Sequence, residues 1–317
     1  MTTAAHHLDS WTRPGDTPTG SRHLDRVIGV INGKGGVGKT SVAVNLAAQL
    51  AAQDYSVLLC GLDPQDNAGE DLGYLSQGLG DDGANLAHAL RGSDTLSPLK
   101  NVRPGLDVVP GGDALEPFLA ELHIRTHLGH DDSYALADTL AGVADDYDVI
   151  LIDAPPGYAA LQHQVLVAAR WMLVPTAVDA SSRKGLARLA DRLSSSAAYN
   201  DEIGLLGVVL FDVPVAASRI RDAALRAIRD DLGTDAPLFT ASIRTAPAAA
   251  KDARDRGWLM HELAEEVRSA GPFWKRDKTA GPALAASARN VAADYTALMT
   301  EMLTVLVAAE NTQQEES

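Results

Sequence analysis

The stretch GKGGVGKTS, residues 33–41, decides the fold. Gly33, Gly38, Lys39 and Thr40 complete the spacing G-x-x-x-x-G-K-[ST], in which glycines let backbone N–H groups close around phosphate oxygens. The apolar run RVIGVIN (26–32) leads into it, and a helical pattern opens at Lys39 or Thr40. Strand, loop and helix thus follow in the order a phosphate-binding loop needs, and the helix N-terminus adds positive potential. On this reading Gly35, Gly36, Val37, Gly38, Lys39, Thr40 and Ser41 cradle a nucleotide. Lys39 reaches its β- and γ-phosphates, and the Thr40 hydroxyl holds Mg²⁺. The pattern needs one lysine, yet the loop carries a second, Lys34, directly after its first glycine.

Outward from the loop, short β-branched or apolar runs recur at 56–62, 106–109, 148–152, 171–175, 205–211 and 237–241. Helical stretches lie between most of them, at 39–53, 133–145, 159–169, 183–195 and 216–231, and a long one closes the chain at 284–308. Near-continuous hydrophobic strands alternating with helices predict a mostly parallel sheet covered on both faces, a doubly wound α/β fold of the P-loop NTPase kind. Residues 1–24 are polar, rich in Pro, Gly and Thr and without periodicity, which predicts a mobile extension. Residues 25–308 read as a single ATPase domain, and 309–317 as a polar tail.

Of the 317 residues, 46% are hydrophobic and 5% aromatic, so Ala, Val and Leu must fill the core. The single cysteine, Cys60, excludes an intrachain disulfide and a four-thiolate cluster, as suits a reducing cytoplasm. No uninterrupted apolar stretch reaches bilayer length. The formal net charge of -15 opposes nucleic-acid binding by the molecule as a whole and leaves only a local basic patch as a route to DNA.

The segment Lys34–Thr40, KGGVGKT, resembles the deviant phosphate loop of the ParA/MinD ATPases. In that family two subunits sandwich two ATP molecules, and the extra lysine crosses to the partner's nucleotide. The resemblance implies that Lys34 stabilises transition-state charge only in the dimer, as an arginine finger supplied in trans does. GLDPQDNAG (61–69) resembles the family's D-x-D-P-Q-G-N-A segment, which makes Asp63 the residue that orients the attacking water. Two positions depart: Gly61 stands where the family has an aspartate, and Asp66 where it has glycine. YDVILIDAPPG (147–157) is similar to the family's second switch segment, implying that Asp153 holds Mg²⁺ through a water. GLLGVVLFDV (204–213) resembles the strand that ends near adenine, with Phe211 and Asp212 at that end.

A membrane role of the MinD kind is not expected, because the final stretch ALMTEMLTVLVAAENTQQEES carries only acidic charges. A DNA role falls to SRIRDAALRAIRDD (218–231), where Arg219, Arg226 and Arg229 share a helix face at 100° per residue and Arg221 points elsewhere. Arg244 and Lys251 extend that patch. The resemblance therefore implies a cytoplasmic, nucleoid-associated partition ATPase using ATP and Mg²⁺. It would act as an ATP-dependent homodimer on nonspecific DNA and answer to a ParB-like centromere-binding partner. Two alternatives stay open: an ATPase that positions a protein cargo on the nucleoid, and a nucleotide switch with little turnover.

Overall fold

Successive residues of the central strands turn to opposite faces, and both sets are buried, so each strand needs a helical layer above and below it. Ile28, Val30, Val57, Leu59, Val149 and Leu151 enter one core layer; Val27, Ile31, Leu58, Cys60, Ile150 and Ile152 enter the other. The computed structural model describes residues 24–179, 189, 191–193, 195–216, 218–233, 236–269 and 285–316. The expected N-terminal extension lies, but for Leu24, outside the described residues.

Eight strands form one sheet: β1 (Val27–Val30), β2 (Val57–Gly61), β3 (Leu99–Arg103), β4 (Leu106–Val109), β5 (Val149–Asp153), β6 (Trp171–Ala177), β7 (Gly204–Val213) and β8 (Leu238–Arg244). Their spatial order is β3-β4-β2-β5-β1-β6-β7-β8, parallel throughout except for the β3–β4 pair. The doubly wound, mostly parallel architecture read from the sequence is the one observed. Sequence periodicity missed β3. It is an edge strand with no fully buried residue, turning at Gly105 with φ +76°, and so lacks the apolar run that marked the others.

One face carries α1 (Lys39–Ala51), α2 (Asn67–Leu72), α8 (Pro247–Arg256), α9 (Met260–Ser269) and α10 (Ala288–Glu316); the other carries α3 (Ala84–Leu90), α4 (Leu115–His127), α5 (Ala135–Ala141), α6 (Ala159–Ala168) and α7 (Ser218–Leu232). The helix expected at 133–145 is α5 followed by a separate 3₁₀ turn, Ala144–Asp146. The one expected at 183–195 falls mostly outside the described residues; Leu189 and residues 191–193 are helical. The closing helix begins at Ala288 and runs on to Glu316, past residue 308. Arg26, at the foot of β1, pairs with Glu310 at 2.9 Å and gives that extra turn a tertiary contact.

By length and mean hydropathy the segment Ala288–Asn311 of α10 passes as a bilayer span, although Arg289, Asp294, Glu301 and Glu310 interrupt the apolar run. Its apolar side is spent on the core, where Val291, Tyr295, Leu298, Met302 and Leu306 are buried.

Candidate nucleotide-binding site

Strand register builds the site. Val30 pairs with Asp153, and Asp153 with Gly61, so β1, β5 and β2 end level with one another. The loop after β1, the carboxylate ending β5 and the turn after β2 therefore meet at one carboxyl edge of the sheet, where open α/β sheets bind ligands. Asn32 anchors the glycine-rich loop. Fully buried, it donates from Nδ2 to the Pro175 carbonyl of β6 at 2.8 Å and accepts the Lys34 amide at 3.0 Å. A polar residue between a buried strand and the glycines was the available clue to it.

Within the loop Gly36 and Gly38 have φ of +73° and +86°, open to glycine at little cost. A Cβ on Gly38 would fall 2.3–2.5 Å from ring carbons of Phe211, so the Phe211 ring lies directly against the loop. Phe211 is in register with Ala177 of β6, and the next residue, Asp212, takes a left-handed φ of +58° where the pairing with β8 shifts register. Ser41 lies in the first turn of α1, and its carbonyl accepts the Asn45 side chain at 2.8 Å.

Lys39 is 6% exposed, and its Nζ donates to the Lys34 carbonyl at 2.8 Å. Burial lowers its pKa, against the pull of Asp153 and Asp63. Asp153 is buried; removal from water pushes its pKa up to about 7, opposed by a hydrogen bond with Thr40 and reinforced by the charge of Asp63. Its Oδ1 is buried with no hydrogen-bond partner among the described residues. An orphaned carboxylate oxygen beside a threonine hydroxyl and a buried lysine is a donor set that fits a hard divalent cation with phosphate oxygens. The loop after Asp153 is held from behind by Gln162, which donates to the Pro155 carbonyl at 2.7 Å. Cys60 is inert by contrast: burial first, then Asp153, pushes its thiol up to about 12.

Asp63 is 6% exposed and caps its own turn, accepting the Gln65 amide at 3.0 Å and the Asn67 side chain at 3.4 Å. Both departures from the family pattern have local reasons. A Cβ at Gly61 would stand 3.1 Å from the Gly111 amide and 3.3 Å from the Val109 carbonyl, so bulk there is resisted by backbone. Asp66 occupies a left-handed conformation, φ 43° and ψ 46°, which glycine adopts freely and aspartate tolerates. Its carboxylate turns inward to the Tyr74 hydroxyl at 2.7 Å.

Lys34 lies beside this cluster but bonds within its own chain, its Nζ 2.9 Å from both carboxylate oxygens of Asp179. Asp179 follows β6 and carried no mark in the sequence. Of the expected DNA contacts, Arg219, Arg226 and Arg229 are exposed on α7, with Asp222, Asp230 and Asp231 exposed among them. Arg221 turns inward and donates to the Thr240 carbonyl at 2.6 Å. The other two expected contacts are engaged within the fold. Arg244 grips Asp294 of α10 through two nitrogens at 2.7 Å each, and Lys251 pairs with Asp255 one turn on.

A family model described as an AAA domain matches residues 25–203. An uncharacterised Pseudomonas putida protein is 31% identical over 266 residues, covering 77% of this chain and 95% of its own. The chromosome-partitioning ATPase Soj of Thermus thermophilus is 33% identical over 205 residues, 64% of this chain and 76% of Soj. Among solved structures, cobyrinic acid a,c-diamide synthase of Mycobacterium smegmatis with bound ADP and magnesium is 25% identical with a TM-score of 0.61, covering 81% of this chain and 99% of that one. With its phosphate loop, two carboxylates and supporting lysine on one sheet edge, the chain belongs to the ParA/MinD superfamily of P-loop ATPases.

Proposed function

We propose that this chain is a partition ATPase of the ParA type, which closes into a dimer around ATP, rests on DNA without reading its sequence and lets go after hydrolysis. The observation that carries the reading is the level ending of β1, β5 and β2, which gathers Lys39, Thr40, Asp63 and Asp153 at one edge. Thr40 and the unpartnered Oδ1 of Asp153 are the residues that would hold Mg²⁺, whose charge offsets that of the β- and γ-phosphates when bound. Asp63 orients a water for in-line attack on the γ-phosphorus; the new P–O bond forms as the bond to the β–γ bridging oxygen breaks, and ADP leaves. Lys39 neutralises the phosphates from its own subunit. Lys34 adds its charge from across the dimer, which requires the Lys34–Asp179 pair to open.

Arg219, Arg226 and Arg229, exposed on one face of α7, supply the phosphate contacts. Arg244 and Lys251 join them only by leaving Asp294 and Asp255. The kinship with a chromosome-partitioning ATPase supports a ParB-like partner and a nucleoid location in the cytoplasm. Binding to a nonspecific duplex, measured with ATP, with ADP and without nucleotide across a salt series, tests the reading. ATP-dependent binding that weakens steeply with salt supports it; equal or absent binding in all three states contradicts it.

A further inference from the structure

Asp66 stands in the same turn as Asp63, and its carboxylate is turned to the Tyr74 hydroxyl. It is 5% exposed; its carboxylate accepts from the Gly69 and Gly111 amides and from the hydroxyl of Tyr74, itself 1% exposed in the core layer shared with α1 and α10. The Asp66 amide donates to the Asp63 carbonyl at 3.0 Å, and the Gly69 amide to the Asp66 carbonyl at 2.9 Å. Asp66 is thus joined through its backbone to Asp63 on one side and to α2 on the other. Asp63 is also backed from behind: a Cβ on Gly111 would lie 2.3 Å from the Asp63 carbonyl oxygen. An outward shift of the turn parts Asp66 from Tyr74 and leaves the buried Tyr74 hydroxyl without its acceptor.

We propose that the Asp66–Tyr74 hydrogen bond is a clamp that holds the 63–67 turn in one conformation and so positions Asp63 for the attacking water. The proposal rests on the reading of Asp63 given above. Neither residue touches the reacting atoms, so both are positioning residues. Glycine at 66 would support the same left-handed turn with no tether into the core, so the aspartate adds the tether without altering the backbone. A catalytic carboxylate allowed to wander loses rate faster than it loses substrate affinity.

Steady-state ATP hydrolysis by the full chain, with ATP affinity measured in parallel, tests this. Asp66→Gly keeps the turn and removes the tether; Tyr74→Phe keeps the packing and removes the donor. Each is expected to lower kcat about tenfold or more while KM for ATP stays within about twofold. Asp66→Asn, which still offers Tyr74 an acceptor, is expected to stay within about threefold of the parent kcat. Asp63→Ala runs beside them and is expected to be inactive while still binding ATP. If Asp63→Ala is inactive but Asp66→Gly and Tyr74→Phe turn over like the parent, the clamp falls and the reading of Asp63 stands. If Asp63→Ala hydrolyses ATP like the parent, that reading falls and the clamp with it.

Discussion

Lys34 shows at the scale of one residue how far a motif carries and where it stops. The sequence marks it as an extra cation in a phosphate loop, but its partner Asp179 lies 145 positions away and nothing in the local pattern points there. Lys39, Thr40 and Asp153 were legible because each closes a strand-loop-helix or strand-end pattern, whereas Tyr74 was hidden because it lies in a turn that no periodic run or motif marks. The Lys34–Asp179 pair is about half exposed, so it is worth about 1 kcal/mol or less. Asp179→Ala is therefore expected to strengthen ATP-dependent dimerisation by about fivefold or less, read by sedimentation. Lys39→Ala removes a buried charged donor, and ATP affinity measured by titration is expected to fall about 10- to 100-fold.

Asp66 yields a prediction with a definite sign. Burial pushes its pKa up to about 6, opposed by the Tyr74 hydroxyl and the Gly69 and Gly111 amides and reinforced by the charge of Asp63. A carboxyl raised on folding holds its proton better in the folded state. The stability this lends is present below the unfolded value near 4 and is lost as pH rises through 6. Relative to Asp66→Asn, the parent protein should lose on the order of 2–3 kcal/mol between about pH 4 and pH 7, read from denaturant melts at each pH. Parallel melts across that range would contradict it.

Elements were easiest to read where both faces are covered and hardest at edges. β1, β2, β5 and β6 announced themselves through unbroken apolar runs, while β3 had none to show. The junction of α2 with α8 was also invisible in sequence, because it is made of backbone. A Cβ on Gly257, where φ is +62°, would lie 2.4 Å from the Gly73 Cα, and Arg254 of α8 reaches Asp71 of α2 at 2.7 Å. Gly257→Ala is expected to cost about 2–5 kcal/mol, visible as a lower midpoint in denaturant. On α7 the arginines were legible by helical spacing, and the inward turn of Arg221 agrees with that geometry. Replacing Arg219, Arg226 and Arg229 together with alanine is expected to flatten the plot of log affinity for DNA against log salt by about 3 for one protomer's contacts.

At the scale of the molecule, a chain of net charge -15 can meet DNA only through a small basic face, so on the proposed reading binding should depend on pairing two such faces in a dimer. The doubly wound architecture was legible from strand-helix alternation and the site edge from one loop. What ties switch to body was not, since Asp66–Tyr74, Arg254–Asp71 and Arg103–Glu262 are contacts between distant or buried positions. The central claim is that hydrolysis waits on a second subunit. ATP turnover per protomer, measured over a wide range of protein concentration for the parent and for Lys34→Ala, tests it most directly. The account predicts turnover that climbs with concentration in the parent and stays low and flat in Lys34→Ala. Turnover independent of concentration, and equal in the two proteins, would contradict it.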